Sequence, residues 1–337
     1  MGRRNKSYRK DLHQQAYDRL TGMQAFGESK REAVANGTAQ DKIFSFNTYQ
    51  TYWKHTKYFV KWIQKVHPEC TTLKSAQKHV NEWLQSRVNE GLSAYTIQTE
   101  AKALGKLYGI NQNHPDYFKP PKRERAEITR SRGDRVRDKH FSKENNAELI
   151  KFCQGTGLRR HELGALKGRD LVTKEQIQAQ IVHLESKSGL SADEKSQLKI
   201  LQDTKYFKAE YYTRTVGKGG RERISPIVGK NVEQIVERIR ETPPDAKVWQ
   251  HVNSNADIHS YRSDYAVTIY KEYAREIKDI PYDRVNKGTG RPYQSGVYVC
   301  RKDESGKKLD KEAMLICSKA LGHNRIEVVA NNYIRGL

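Results

Sequence analysis

Through the first third of the chain apolar residues recur at steps of three and four. The sets are Tyr52, Thr56, Phe59, Ile63 and Val66, then Leu73, Ala76, Val80 and Trp83, then Ile97, Ala101, Leu104 and Tyr108. That period puts each set on one face of a helix, so three amphipathic helices are predicted. Asn47 or Thr48 caps the first and Ser93 the third, and His67-Pro68 breaks the chain between the first two. The aromatic residues of these stripes read as core, not as a platform for stacked bases. Residues 1–40 show weaker periodicity, and their first ten hold five basic and no acidic residues. They form either a flexible arm or an added helix, ahead of a helical domain over 41–118.

The pattern changes at residues 119–139. Pro120-Pro121 stops the preceding helix, and few apolar residues interrupt Lys122, Arg123, Arg125, Arg130, Arg132, Arg135 and Arg137, so the stretch reads as a basic linker. A second domain spans 140–337. Ser142 is placed to cap a helix through Leu149 and Ile150. Two β-prone runs, Ala209 to Val216 and Arg223 to Val228, flank Gly219-Gly220, a pair that favours a tight two-residue hairpin and leaves Lys218 at its tip. Two segments look like insertions. One, near 173–208, is charged and helix-prone, with Ile177, Ile181 and Leu184 on one face. The other, near 280–310, contains the strand-like run Gly296 to Cys300. The expected fold class is α+β and mostly helical: an N-terminal helical domain followed by a mixed domain with a small hairpin-containing sheet.

Charge identifies the partner. Lys and Arg number 62 against 40 Asp and Glu, a net charge of +22 over 337 residues. Phosphate neutralisation with counterion release makes nucleic acid the expected ligand, a basic ribosomal or membrane-surface protein being the alternative. On that basis the seven basic residues of 119–139 are expected to lie along a DNA backbone. No apolar run reaches the roughly 18 residues of a membrane span, and the N-terminus has no signal-like apolar stretch, so a cytoplasmic, nucleoid-associated protein without membrane contact is expected. Cys70, Cys153, Cys300 and Cys317 are scattered without a Cys-x-x-Cys pair, which fits buried or free thiols and neither a zinc site nor a disulfide framework.

Four motifs carry chemistry in a fixed order: Gly157-Leu158-Arg159-Arg160-His161-Glu162, the lysine hairpin around Lys218, His259-Ser260-Tyr261-Arg262, and Leu321-Gly322-His323, followed ten residues later by Tyr333. Displacing an alkoxide from a phosphodiester loads charge on the non-bridging oxygens, and fixed guanidinium groups meet that charge bidentately. Arg262 is one candidate. At the first motif Arg159 and Arg160 are equivalent on residue type alone. His259 and Arg262, three apart, share a helical face, and histidine suits proton exchange near neutral pH. A phenol is a weak nucleophile while protonated, and surrounding positive charge lowers the cost of ionising it.

In this order the set resembles the tyrosine recombinase (phage integrase) family. The resemblance covers about 200 residues and implies roles. Arg159, directly after Gly-Leu, is the catalytic arginine, held by Glu162 one turn on. Lys218 is the general acid. His259 supports the phosphate and exchanges a proton with the tyrosine, Arg262 completes the clamp, and His323 donates a further hydrogen bond. Tyr333 is the nucleophile that forms a 3′-phosphotyrosine bond. It also implies a site-specific recombinase with a helical DNA-clamp domain ahead of a catalytic domain, a homodimer on each DNA site, a homotetramer in the synaptic complex, and no metal or other cofactor. A type IB topoisomerase-like relaxing enzyme and a catalytically inactive DNA-binding protein are the alternatives. The interval from His323 to Tyr333 is ten, where many relatives use nine.

Overall fold

The computed structural model describes residues 10–124, 141–217, 220, 222–280, 295–301, 304–323, 325–335 and 337. Lys218, Arg125, Arg130, Arg132, Arg135, Arg137, the first nine residues and 281–294 of the second expected insertion lie outside them. The chain forms two compact units, Met1–Ile128 and Thr129–Leu337. Together they are a mostly helical α+β protein with small antiparallel sheets.

The N-terminal unit contains α1 (Leu12–Thr21), α2 (Lys30–Ala35), α3 (Phe46–Val66), α4 (Leu73–Ala76), α5 (Val80–Asn89) and α6 (Ala94–Tyr108). α1 and α6 both pack on α3, and Phe59, Val60, Ile63, Leu104 and Leu107 are wholly buried between them. Truncating any of these to Ala is the kind of change that costs about 2–5 kcal/mol. Helix α6 begins where its spacing predicts, because the Ser93 side chain accepts the Thr96 N–H. Helix α3 begins earlier than expected. Its cap is Ser45, whose side chain accepts the Thr48 N–H, and not Asn47 or Thr48. Val66, expected on the apolar stripe, is exposed. The second expected helix is two, α4 and α5, joined by a 3-10 turn over Gln77–His79. Within 1–40 the described part holds the two helices α1 and α2, joined by turns.

In the C-terminal unit, α7 (Ala147–Thr156) and α8 (Arg160–Ala165) precede β1 (Leu171–Thr173). Then come α9 (Lys174–Glu185), α10 (Ala192–Gln202), β2 (Tyr211–Val216), β3 (Glu222–Pro226), α11 (Val232–Glu241) and α12 (Ile258–Tyr273). β4 (Val297–Val299), β5 (Lys308–Asp310), α13 (Lys311–Ala320) and α14 (Ile326–Asn332) complete it. The Ser142 cap is not the start of α7: the Ser142 hydroxyl accepts Asn145 N–H in a preceding turn, and the helix opens at Ala147. The segment near 173–208 is the pair α9 and α10, each opened by a capping box, Thr173 with Gln176 and Ser191 with Glu194. Ile177 and Leu184 are buried, as their spacing requires.

Strands β1, β2 and β3 form one antiparallel sheet in that order. The two-residue turn expected at Gly219-Gly220 includes Gly219, which lies outside the described residues. Val216 pairs with Glu222, and Gly220 N–H bonds the Gly217 carbonyl. An ion pair from Arg214 Nε to Glu222 (3.2 Å) crosses the two strands next to the last rung. Helix α12 packs against both α7 and α13. Through it, the turn after α7 and the turn after α13 are held against the buried face of one helix, where the site forms.

Candidate active site

The first motif turns on Gly157. It ends α7 at φ +58°, and a Cβ there would lie 2.2 Å from the Tyr265 ring, so glycine is required both by conformation and by space. Tyr265, fully buried, donates its hydroxyl to the Pro226 carbonyl of β3. Leu158 is buried, and Arg159 then opens α8. The Glu162 carboxylate accepts the Arg159 backbone N–H (2.7 Å) and its Nη1–H (2.6 Å). Burial pushes this carboxyl up. Arg223, then the backbone and side chain of Arg159, more than offset that, and the net value lies below the usual carboxylate range.

Arg159 and Arg160, equivalent on residue type, separate in space. The Arg160 guanidinium donates to the carbonyls of Asn253 and Ala256, both at 2.6 Å, and so ties down the loop before α12. Arg159 instead faces the later motifs, with Nη2 at 3.4 Å from the Leu321 carbonyl. That carbonyl also accepts Arg262 Nη2 at 3.3 Å, and Arg262 Nη1 donates to the Gly157 carbonyl. Two guanidinium groups therefore meet over the Leu-Gly-His turn. Arg262 is only 3% exposed. Each keeps donors beyond those spent on carbonyls, since a guanidinium carries five N–H groups.

The turn after α13 is set by Gly322 at φ +69° and by the His323 N–H on the Ser318 carbonyl (2.7 Å). His323 Nε2 then lies 3.1 Å from the Tyr333 hydroxyl. Burial first, and then Arg262, Arg159, Arg223 and His259, hold the His323 imidazole down to about 4. It is neutral at pH 7, and in the tautomer protonated at Nδ1 it accepts the phenol proton. The family roles gave proton exchange with the tyrosine to His259. In the resting geometry the phenol's hydrogen bond is to His323, while the His259 ring stands edge-on to Tyr333 at 5.2 Å between centroids. Arg262 sits 5.6 Å from the centre of the same ring. Tyr333 ends α14 and is 8% exposed.

Five of the six expected catalytic residues thus converge: Arg159, His259, Arg262, His323 and Tyr333. Gly217 and Glu222, which flank the loop carrying Lys218, border a cavity of about 390 Å³ that Arg159 and His323 also line. One participant was not expected. Arg223 of β3, 6% exposed, donates Nη2 to Glu162 at 2.5 Å and Nη1 to the Ala320 carbonyl at 3.1 Å. The described linker residues have partners inside their own unit: Lys122 pairs with Glu124 at 3.1 Å, and Arg123 lies 4.4 Å from the centre of the Tyr95 ring.

All four cysteines are free thiols and buried. No helix among the described residues is long and apolar enough to cross a membrane. Among the described residues, His67, Glu69 and His79 of the N-terminal unit bring ligand atoms within 4.8 Å of one another. Both imidazoles already bond the Glu82 carboxylate, at 3.1 and 2.8 Å. They also stack at 3.6 Å with planes 20° apart, which keeps their in-plane lone pairs in nearly parallel planes and off a common metal position.

No family model and no curated protein matches this sequence. Among solved structures, one titled as the crystal structure of XerA recombinase aligns over 94% of this chain and 93% of its own, at 13% identity and a TM-score of 0.25. At that score the likeness carries no argument about chemistry.

Proposed function

We propose that this protein is a site-specific DNA recombinase that cuts and rejoins strands through a 3′-phosphotyrosine intermediate, with double-stranded DNA as substrate. One observation carries the reading: the Tyr333 phenol is hydrogen-bonded to a neutral imidazole inside a ring of guanidinium groups. Such a ring serves a substrate that is already anionic and becomes more so in the transition state. In the first step the Tyr333 oxygen bonds to phosphorus and the bond to the 5′-oxygen breaks. The phenol proton passes to His323, and the 5′-oxygen leaves with a proton from Lys218. Arg159 and Arg262 hold the two non-bridging oxygens, and His259, in the first turn of α12, adds a donor. Attack by a second 5′-hydroxyl reverses the step and returns both protons, so the phosphodiester energy is conserved. The N-terminal unit and residues 119–139 supply further affinity for the duplex. A dimer on each site and a tetramer at synapsis belong to the same proposal.

The test is capture of the intermediate. Sheared, nicked genomic DNA of the source organism, incubated with the protein in excess EDTA and then denatured in detergent, is expected to yield protein-linked DNA at discrete sequences. Because arginines supply the positive charge, the adduct forms without added Mg²⁺. An absolute Mg²⁺ requirement, or no adduct at all, rejects the mechanism. Efficient relaxation of a plasmid lacking those sequences would reassign the protein to the topoisomerase reading.

The His323 assignment predicts an unusual pH profile. A base with the ordinary histidine value of about 6.5 would lose half its activity at that pH. Because the folded value is depressed to about 4, the neutral, proton-accepting form persists through that range and is lost only as pH approaches 4. The second-order rate of adduct formation, which reports the free protein, is expected to stay flat from pH 7.5 down to about 5. A half-fall near 6.5 would move the proton acceptor away from His323.

A further inference from the structure

The arginine on β3 borders the same cavity as Arg159 and His323, but it is 6% exposed and both its Nη atoms donate to protein groups, so phosphate binding does not account for it. Arg223 is buried, and its guanidinium serves two elements at once. Nη2 donates to Oε2 of Glu162, whose other oxygen accepts Nη1 of Arg159. Nη1 donates to the Ala320 carbonyl, the residue before Leu321-Gly322-His323, and Ser225 of the same strand adds its hydroxyl to that carbonyl at 3.0 Å. Its aliphatic stem is the floor of the turn: a Cβ on Gly322 would come within 2.5 Å of Arg223 Cδ. β3 also forms one side of the hairpin whose loop carries Lys218.

A single buried fork therefore links the strand beside the lysine loop to Arg159 on one side and to the His323 turn on the other. Burial lowers the Arg223 value, opposed by Glu162, to about 10, so the group stays charged at neutral pH. We infer that Arg223 is a positioning residue: through Glu162 it fixes Arg159, and through Ala320 it fixes His323, setting both against the scissile phosphate. This rests on the recombinase reading. Lysine at this position keeps the charge but loses the planar fork, so it can serve Glu162 or Ala320 but not both in the native geometry.

The experiment compares Arg223→Lys, Arg159→Ala and wild type on two suicide duplexes of the sequence that gives most adduct with the wild type. One duplex has an ordinary scissile phosphate. The other has a methylphosphonate there, which lacks the negative charge that Arg159 is placed to meet. Arg223→Lys is expected to lose roughly a hundredfold in adduct rate on phosphate, to bind the duplex within about twofold of wild type, and to recover to within about tenfold of wild type on methylphosphonate. Arg159→Ala should show the same pattern, and adding Arg223→Lys to it should cost only the share exerted through Ala320 and His323, about tenfold on either duplex. A variant that is merely unstable loses rate equally on both duplexes, and that result overturns the inference, as does a wild-type rate on phosphate. If Arg223→Lys melts below the assay temperature, Glu162→Gln takes its place with the same expected pattern and the same overturning results. Failure of wild type to form any adduct would instead reject the recombinase reading itself, and the Arg223 role with it.

Discussion

Tyr333→Phe is expected to form no detectable covalent adduct, a loss of roughly 10⁴-fold or more, because no other group replaces a missing nucleophile. Little else should change. The substitution removes one oxygen from a ring that is otherwise packed in the core with Val329, Ala330 and Leu321. With that oxygen goes its hydrogen bond to His323, at 3.1 Å. Such a bond is worth about 0.5–1.5 kcal/mol. The melting midpoint should fall by no more than about 6 °C for a unit of this size. DNA affinity, which depends on charge that the variant keeps, should stay within about twofold. Wild-type levels of a protease-resistant peptide–DNA link from the variant would show that the nucleophile is elsewhere, and a large drop in affinity would show that Tyr333 acts chiefly as a structural residue.

What the chain reveals before folding depends on how far apart the causes lie. Helix α6 was legible because its period and its Ser93 cap are neighbours in sequence, as was the Ile177 and Leu184 face of α9. Starts were misplaced where several hydroxyl or amide side chains lie close together: Ser45 outcompetes Thr48 because its own extended backbone leaves its oxygen facing the first turn. The choice between Arg159 and Arg160 is not local at all. It is made by carbonyls of Asn253 and Ala256, more than ninety positions away. Arg223 is the extreme case. One basic residue among 62 carries no signal until Glu162 and Ala320 close around it. Its position in a β-prone run that is otherwise largely uncharged was the one available hint.

Lys218→Ala is expected to be the most informative variant of the remaining site residues, because its defect should be chemically reversible. Gly217 and Glu222, described residues on either side of it in sequence, border the cavity that Arg159 and His323 line, and the proposed mechanism gives Lys218 the proton of the leaving 5′-oxygen. An alkoxide is a poor leaving group and needs a proton as it departs, while a thiolate is stable near neutral pH and does not. On ordinary DNA, Lys218→Ala should cleave roughly 10²–10⁴-fold more slowly than wild type, the usual range for loss of a general acid. When sulfur replaces the bridging 5′-oxygen at the scissile position, cleavage should recover to within about tenfold. Arg159→Ala should not recover, because the non-bridging oxygens it is proposed to hold are unchanged by that replacement. Single-turnover rates on the two duplexes decide the matter. Rescue of both variants would make the sulfur effect non-specific, and rescue of neither would remove Lys218 from the proton transfer and leave the leaving-group proton to another donor.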